Sequence, residues 1–389
     1  MGITCTGINA ETGSPAEVSF GPEILAVRRI DSAPAGTHVA PGFIDLQVNG
    51  YAGVDYNVPT SPLEEIGRSI RALYTTGVTR FYPTFVTNSA DIMLACLRNM
   101  AQAKGQLTEG EAIEGFHVEG PHLSPDDGAR GAHPLEWIRP PDIDLLHRMQ
   151  EAAGGLVRVV TLSPEWPEAP RYIETAVREG IIISIGHMNA DAEQIASAVD
   201  AGATLSTHLG NGAHPVLPRH PNYIWDQLAE DRLTAAFIAD GLHVPGAFLK
   251  AAFRAKGPKR RFVVTDVVWP AGSKPGRYRL MGRETELTAD DRVIMVGKNA
   301  AERTLAGSGL PIHKAVANLV RLAGLNLAEA VSMVTVDAAR AGKIKGRDAG
   351  LVTGQRGDVV EFSFNPQGPV IEIERTYVGG TLVYSRQGD

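Results

Sequence analysis

The chain has 389 residues, of which 43% are hydrophobic and 21% charged, so its composition excludes a disordered protein and allows a sizeable core. With 44 acidic against 37 basic residues, a net charge of −7 and no basic block, the composition argues against a nucleic-acid-binding protein. Its two cysteines form no disulfide framework, and no run resembles a leader or a membrane span, so we expect a cytoplasmic protein without membrane contact.

The first residues of the chain, up to about position 44, carry turns and short β-like runs such as Ile24–Ile30. From Gly42 onward, strand-like and helix-like segments alternate. Apolar residues at helical spacing between positions 63 and 73 predict a helix that stops at Gly77, and Ser89 is a plausible cap for the next helix. After about position 345 the sequence is β-like again.

This alternation predicts a parallel α/β architecture. Roughly eight strand–helix units fit between positions 42 and 340, which favours a closed (β/α)8 TIM-type barrel over an open sheet. We therefore expect a barrel domain at residues 45–341. We expect residues 1–44 and 342–389 to pair into one small β-sandwich-like domain beside it.

Four residues whose side chains can bind a metal or transfer a proton each follow an apolar, strand-like run. His187 follows "IIISIG", His208 follows "GATLST", Asp266 ends "RFVVTD", and Glu119 lies in "HVEGPHLSP". Because the carboxyl ends of barrel strands open on one face, these side chains should converge there. Two imidazoles and a carboxylate suit zinc with one position open for water, and a further acid could carry the proton. The pattern predicts metal-assisted hydrolysis.

The first barrel strand ends in "DLQVNG", which places Gln47 and Asn49 where many barrel hydrolases have a His-x-His pair. Neither amide is a strong ligand for a borderline cation, so we expect one catalytic metal. We interpret the two amides as hydrogen-bonded residues of a loop that turns at Gly50. Asp266 would be costly to bury without a partner or a function, which favours a catalytic acid over a helix cap.

Seven strings occur in this order: "PGFIDLQVNGYAGVDYN", "HVEGPHLSPDDGARGAHP", "IGHMNA", "THLGNGAHP", "IADGLHV", "VTD" and "LAGSGLP". Together they resemble the N-acetylglucosamine-6-phosphate deacetylase family of the amidohydrolase superfamily. The likeness extends from about Ala40 to the tail "GLVTGQRGDVVEF". A single string is weak evidence, whereas seven in order are strong evidence.

The resemblance implies roles for individual residues. It implies metal ligation by Glu119, His187 and His208, catalysis by Asp266 as acid and base, and polarisation of the acyl carbonyl by His133. The implied cofactor is one divalent metal, zinc first, with iron or cobalt as alternatives because they share these ligands. The implied partner is a small amino-sugar phosphate, and the implied assembly is a homodimer. The implied substrate-binding residues are Ala132, Asn211, Gly212, Arg219, His243, Leu305, Ala306 and Gly307.

Three departures from the family pattern lie near the sugar or phosphate end. "GNGAH" follows His208, the bulky segment "RHPNYIWDQLAEDRL" starts at Arg219, and "VVWPAG" follows Asp266. Two alternatives therefore stay open. One is a deacetylase of another N-acyl amino sugar, unphosphorylated or of another epimer, and the other is a non-catalytic sugar-binding barrel. The roles of His117, His122, His214 and His220 stay open as well.

Overall fold

The computed structural model describes residues 2–280, 283–296 and 305–386. Strands are numbered in chain order within these residues. They are β1 (Ile3–Asn9), β2 (Pro15–Phe20), β3 (Ile24–Arg29), β4 (Thr37–Pro41), β5 (Phe43–Val48), β6 (Gly50–Tyr51), β7 (Val54–Asp55), β8 (Val78–Val86), β9 (Phe116–Glu119), β10 (Val157–Leu162), β11 (Ile182–Ile185), β12 (Leu205–Ser206), β13 (Thr234–Ile238), β14 (Arg261–Val264), β15 (Gly276–Leu280), β16 (Arg283–Leu287), β17 (Arg292–Met295), β18 (Leu305–Ser308), β19 (Val359–Asn365), β20 (Val370–Val378) and β21 (Thr381–Ser385).

The helices are numbered in the same way. They are α1 (Leu63–Tyr74), α2 (Ala90–Gln106), α3 (Ile143–Ala152), α4 (Ala169–Arg178), α5 (Ala192–Asp200), α6 (Tyr223–Ala229), α7 (Gly246–Lys256), α8 (Ile312–Asn318), α9 (Leu327–Ser332) and α10 (Val336–Ala341). Two predicted helix signals are confirmed. The Ser89 side chain caps α2 by accepting from Ile92 N, and Gly77, at φ 85°, follows α1. None of the helices in the described residues has the length and apolarity to span a membrane.

Eight strands form the barrel in strict chain order, from β5 through β8–β14. Each neighbouring pair is parallel. The ring closes between β5 and the residues after β14, where Asp266 N donates to Gln47 O at 3.0 Å and Asn49 N donates to Val267 O at 2.9 Å. The predicted TIM-type barrel is confirmed, and its closure places the ends of its first and last strands side by side.

Both termini contribute to one seven-stranded sheet in the order β21-β20-β19-β4-β1-β2-β3. β19 from the C-terminal segment pairs antiparallel with β4 from the N-terminal segment, for example Val359 with Pro41. The predicted small β domain from both termini is confirmed. Its boundaries at 44/45 and 341/342 stay a prediction, and Met1 and positions 387–389 lie outside the described residues.

A four-stranded antiparallel sheet, β15–β18, follows β14 and was not predicted. Its apolar side chains, including Leu280, Leu287 and Val293, pack with Val268 in a small core of their own. A parallel bridge between Val267 and Ser308 attaches it beside the ends of the barrel strands. This sheet therefore borders the face of the barrel where chemistry is expected.

Candidate metal centre and active site

The side chains that follow the barrel strands sit on an unusual backbone. His187, His208 and Asp266 have φ values of 49°, 26° and 52°. Side chains other than glycine rarely adopt this left-handed region, and each such residue costs ~1–3 kcal/mol. Strain of this kind clusters at functional sites, and here it turns three side chains from three different strands toward the barrel mouth.

The predicted ligand trio converges. His208 Nε2 lies 3.0 Å from Glu119 Oε1 and 3.2 Å from His187 Nε2, and His187 Nε2 lies 3.3 Å from Glu119 Oε1. Atoms bound at ~2.0–2.1 Å to one tetrahedral ion lie about 3.3 Å from each other. All three residues are buried. The donor types and their spacing therefore fit one divalent cation.

The imidazole of His187 is oriented for ligation. Its Nδ1 lies 2.9 Å from the Ala129 carbonyl oxygen, so Nδ1 carries the proton and Nε2 keeps its lone pair for a cation. Two glycines let the chain pass close to this ring. A Cβ at Gly212 would lie 2.6 Å from His187 Nδ1, and one at Gly131 would lie 3.1 Å from its Cε1. Both glycines have positive φ, so larger residues would meet strain and a clash.

His133 lies directly beside this trio. Its ligand atom, with those of Glu119 and His187, forms a group within 4.8 Å. Its Nδ1 is 2.9 Å from Thr87 Oγ1, which is also 3.3 Å from the Glu119 carbonyl oxygen. Burial, followed by the neighbouring charge of His187, lowers the pKa of His133 to about 3. The ring is therefore neutral near pH 7, and the Thr87 hydroxyl decides which ring nitrogen carries its proton.

The two carboxylates of the site differ electrostatically. Burial opposes ionisation of Glu119, but its contacts with the His187 and His208 imidazoles hold its pKa well below the usual range. Burial, reinforced by the negative charge of Glu119, raises the pKa of Asp266 to about 6. One carboxylate is thus a permanent anion suited to hold a cation, and the other sits near the value expected of a group that takes and returns a proton.

The amides at the end of β5 contact both carboxylates. Gln47 Nε2 lies 3.2 Å from Glu119 Oε1 and 3.1 Å from Asp266 Oδ1. Asn49 Nδ2 donates to the same Asp266 oxygen at 2.7 Å. The interpretation of these amides as hydrogen-bonding residues agrees with the structure, but sequence reasoning did not identify Glu119 and Asp266 as their acceptors.

Several of the predicted sugar-contacting residues lie on segments next to Asp266, His208 and His133, and we call these segments the rim of the site. Gly307 lies on β18 against Val268, and the adjacent Ser308 N donates to Asp266 O at 3.2 Å. This brings the predicted segment Leu305–Gly307 next to Asp266. Asn211 follows His208 and donates from Nδ2 to the His208 carbonyl at 3.2 Å. Ala132 is exposed next to His133.

His243 lies after β13 and is held by a residue that sequence reasoning missed. Its Nδ1 is 2.5 Å from Asp240 Oδ2, and Asp240 Oδ1 accepts from the backbone of Leu242 and His243 at 2.8 and 2.9 Å. The motif "ADGLHV" contains this acid three residues before the histidine, which is the available signal. Arg219, in contrast, is exposed on the loop before α6, and its backbone oxygen accepts from Asn222 at 3.3 Å.

Asp45 is a further missed residue beneath the site. It is buried on β5 and accepts hydrogen bonds from Thr265 N and Gln47 N, both at 3.2 Å. Burial raises its pKa to about 7. It ties the last barrel strand to the first, immediately below Asp266. A buried acid two residues before Gln47 in an apolar strand was the signal for it.

The four histidines left open separate into structural and peripheral positions. His117 Nε2 is 2.7 Å from Thr161 Oγ1 inside the barrel, and His122 Nδ1 is 3.2 Å from the Arg139 carbonyl. His214 Nδ1 is 2.9 Å from Tyr223 Oη, within the atypical segment 210–228. His220 is exposed. None of these contacts joins the cluster around Glu119.

No protein-family model matches the chain. The chain is 32% identical over 334 residues to the N-acetylglucosamine-6-phosphate deacetylase of Bacillus subtilis (strain 168), covering 85% of this chain and 82% of the relative. It is 36% identical over 305 residues to the N-acetylgalactosamine-6-phosphate deacetylase of Shewanella sp. (strain ANA-3), covering 77% and 73%. A mutant N-acetyl-D-glucosamine-6-phosphate deacetylase from Mycobacterium smegmatis, solved in complex with N-acetyl-D-glucosamine-6-phosphate, superposes with a TM-score of 0.86 at 28% identity over 99% of both chains.

Proposed function

The chain belongs to the N-acetylglucosamine-6-phosphate deacetylase family, and we propose that it hydrolyses the N-acetyl amide of N-acetylglucosamine-6-phosphate to glucosamine-6-phosphate and acetate. The observation that carries this proposal is the convergence of Glu119, His187 and His208 beside Asp266. The family is one of amidohydrolase enzymes, so the alternative of a non-catalytic sugar-binding barrel is not favoured.

Glu119, His187 and His208 would hold one divalent metal ion, and zinc suits this set of one carboxylate and two imidazoles best. Iron(II) and cobalt share the same donor preference. When bound, such an ion supplies Lewis acidity to the acyl carbonyl and lowers the pKa of water. The Ala129 carbonyl contributes by fixing the His187 ring with Nε2 turned to Glu119 and His208.

Asp266 acts first as base and then as acid. As carboxylate it accepts a proton from the attacking water while a C–O bond forms at the acyl carbon. As carboxylic acid it returns that proton to the sugar nitrogen while the C–N bond breaks. Its pKa, raised by burial and by Glu119 to about 6, keeps both forms accessible near neutral pH, which is the requirement for a proton carrier.

His133 donates to the oxygen on which negative charge develops. For this role Nε2 has to carry the ring proton, which requires the Thr87 hydroxyl to donate to Nδ1. The Thr87–His133 contact of 2.9 Å is shorter than the alternative 3.3 Å contact from Thr87 to the Glu119 carbonyl. We therefore propose that the Thr87 hydroxyl proton is directed at His133 Nδ1 and not at the Glu119 carbonyl oxygen.

The substrate would lie across the rim described above. Ala132, Asn211, Gly212 and the strand segment Leu305, Ala306 and Gly307 would line the sugar. His243, held by Asp240, and Arg219 would meet its hydroxyl or phosphate groups. We further propose a homodimeric, cytoplasmic enzyme without nucleic-acid or membrane partners. Its two free, buried cysteines are compatible with a reducing compartment.

Substrate identity is tested by measuring kcat/KM for acetate release from N-acetylglucosamine and N-acetylgalactosamine, each with and without the 6-phosphate. The 36% identity to the Shewanella galactosamine enzyme and the atypical segment 210–228 make the epimer comparison necessary. Arg219→Ala should lower the preference for phosphate by about tenfold or more, since a charge-assisted contact is lost. A wild-type enzyme with no preference for phosphate would contradict the phosphosugar assignment.

A further inference from the structure

We propose that Gln47 and Asn49 form an amide clamp that positions Asp266 and selects which of its two oxygens carries the proton. This inference rests on the proposed function, because it assumes that Asp266 is the proton carrier. The clamp consists of the two side-chain amides at the end of β5 and their hydrogen bonds to Asp266. Gln47 and Asn49 are positioning residues in this account, since they act through the carboxylate.

Both amide donors point at one oxygen. Gln47 Nε2 and Asn49 Nδ2 lie 3.1 and 2.7 Å from Asp266 Oδ1. In the part of the chain that the structure describes, no comparable donor is recorded at Oδ2. Two N–H donors stabilise negative charge on Oδ1 and lower its tendency to take a proton. Oδ2 is therefore the oxygen that accepts the proton from water and returns it to the leaving nitrogen.

Gln47 also spaces the two carboxylates. The same Nε2 lies 3.2 Å from Glu119 Oε1, so one amide group bridges Glu119 and Asp266. Two carboxylates this close repel each other, and neutral N–H donors offset the repulsion without adding charge. The Asp266 side chain can then remain next to Glu119 in a defined orientation.

Asn49 carries an additional sign of a functional contact. Its Oδ1 is buried and has no hydrogen-bond partner among the described residues. A buried acceptor without a donor costs ~1–3 kcal/mol. The Nδ2–H bond to Asp266 holds the Asn49 amide in this orientation despite that cost. A donor from water or substrate is the chemical class of group that would satisfy Oδ1.

The clamp is separable from the fold because the backbone holds the same strand ends together. Asp266 N donates to Gln47 O at 3.0 Å and Asn49 N donates to Val267 O at 2.9 Å. These bonds survive when only the side chains are changed. Gln47→Met and Asn49→Ala should therefore close the barrel as the wild type does while losing the donors to Asp266.

Gln150 offers a matched control for Gln47. It is an amide on α3 that exchanges two hydrogen bonds with the Val157 backbone, at 3.1 and 2.9 Å, at the beginning of β10 and so at the opposite end of the barrel. Gln150→Met makes the same chemical change as Gln47→Met, away from Asp266. It should change kcat by less than about twofold.

The test is a double-mutant cycle of Gln47→Met and Asn49→Ala with Asp266→Asn, in which acetate release, bound metal and a crystal structure of each variant are measured. We expect Gln47→Met and Asn49→Ala to lower kcat by roughly 10–100-fold with KM nearly unchanged. In the Asp266→Asn background the same changes should cost less than about threefold, because residues that act as a unit are not additive. Metal content should stay at the wild-type value, and the Asp266 carboxylate should rotate in the crystals of the single variants.

Equal losses of kcat in both backgrounds, or an unmoved Asp266 carboxylate in Gln47→Met and Asn49→Ala, would overturn the clamp. The carboxylate position decides the question even where the residual rate of Asp266→Asn is too low to measure. A wild-type protein that releases no acetate contradicts the proposed function instead. An active wild type with unimpaired Gln47→Met and Asn49→Ala contradicts the clamp alone.

Discussion

Both ends of the barrel bury charged side chains, but the two ends differ in how neighbouring charges compensate the buried carboxylates. At the opening end, Glu119 and Asp266 lie close together, and burial with the charge of Glu119 raises the pKa of Asp266 to about 6. At the closed end, Asp358 is fully buried between Arg80 and Arg347. Although burial opposes ionisation of Asp358, the positive charges of Arg347 and Arg80 lower its pKa to about 2.

The closed end satisfies its charges from several elements. Arg80 on β8 donates to Asp358 at 2.7 and 2.9 Å, and Gly379 N, after β20, donates at 2.8 Å. Arg347 also reaches Thr79 at 3.1 Å. This network joins the barrel to the terminal sheet. Charges that are fully paired contribute to fold integrity, whereas the incompletely compensated carboxylate at the opening end is available for chemistry.

The largest effect is expected when the opening end loses its proton carrier. Asp266→Asn keeps the shape of the side chain and one acceptor oxygen but removes the titrating group. We expect kcat to fall by about 10³-fold or more, with bound metal retained, because proton transfer contributes roughly 10²–10⁴-fold. Acetate-release kinetics with metal analysis measure both. Near-normal turnover, or loss of metal, would contradict the assignment of Asp266.

The closed end should respond in stability rather than in turnover. Asp358→Ala leaves Arg80 and Arg347 buried without their partner, which should lower the free energy of unfolding by roughly 3–5 kcal/mol. Urea unfolding measures this change. The kcat of the folded fraction should stay within about twofold of wild type. A large drop in kcat at unchanged stability would reverse the contrast between the two ends.

Acid should weaken the closed end in a defined window. The folded pKa of Asp358, about 2, lies below the unfolded value of ~3.9. Its contribution to the free energy of unfolding is therefore complete above about pH 4 and is lost as the pH falls toward 2. The stability difference between wild type and Asp358→Asn should shrink over that window. A difference that stays constant from pH 5 to pH 2 would contradict this assignment.

The smallest predicted effect concerns the orientation of His133. Thr87→Val removes the hydroxyl that lies 2.9 Å from His133 Nδ1, and with it the group that selects the tautomer of the ring. We expect kcat to fall about tenfold, less than for direct loss of an oxyanion donor. Thr87→Ser retains the hydroxyl and should restore most of the rate. Equal rates for the Val and Ser variants would remove Thr87 from the mechanism.

The sequence predicted the barrel and the convergence of the trio for one physical reason. Parallel strands end on one face, so Glu119, His187 and His208, each at the end of an apolar run, had to meet there. Sequence reasoning missed Asp45 and Asp240. Asp45 accepts a hydrogen bond from Thr265, far along the chain, and such a partner depends on three-dimensional register that residue type alone does not encode. Asp240 contacts His243 three residues along the same loop, so the motif "ADGLHV" contained the pair but not its hydrogen bond.

Other features were missed because their sequences carry weak periodic signals. β15 has mostly exposed or half-exposed residues, so its sequence shows no clear apolar alternation. The sheet β15–β18 that follows has a core of its own. The left-handed backbone at His187, His208 and Asp266 could not be predicted from the sequence either. Strain of this kind is imposed by the surrounding tertiary structure and not by local propensity.

The central claim is that Glu119, His187 and His208 together hold a divalent cation on which acetate release depends. The most direct measurement is metal content per chain set against acetate release, in wild type and His208→Ala, before chelation, after chelation and after readdition of zinc. The account predicts about one ion per wild-type chain, loss of activity on chelation, recovery with zinc and little metal in His208→Ala. Full activity in a metal-free wild-type protein would contradict it.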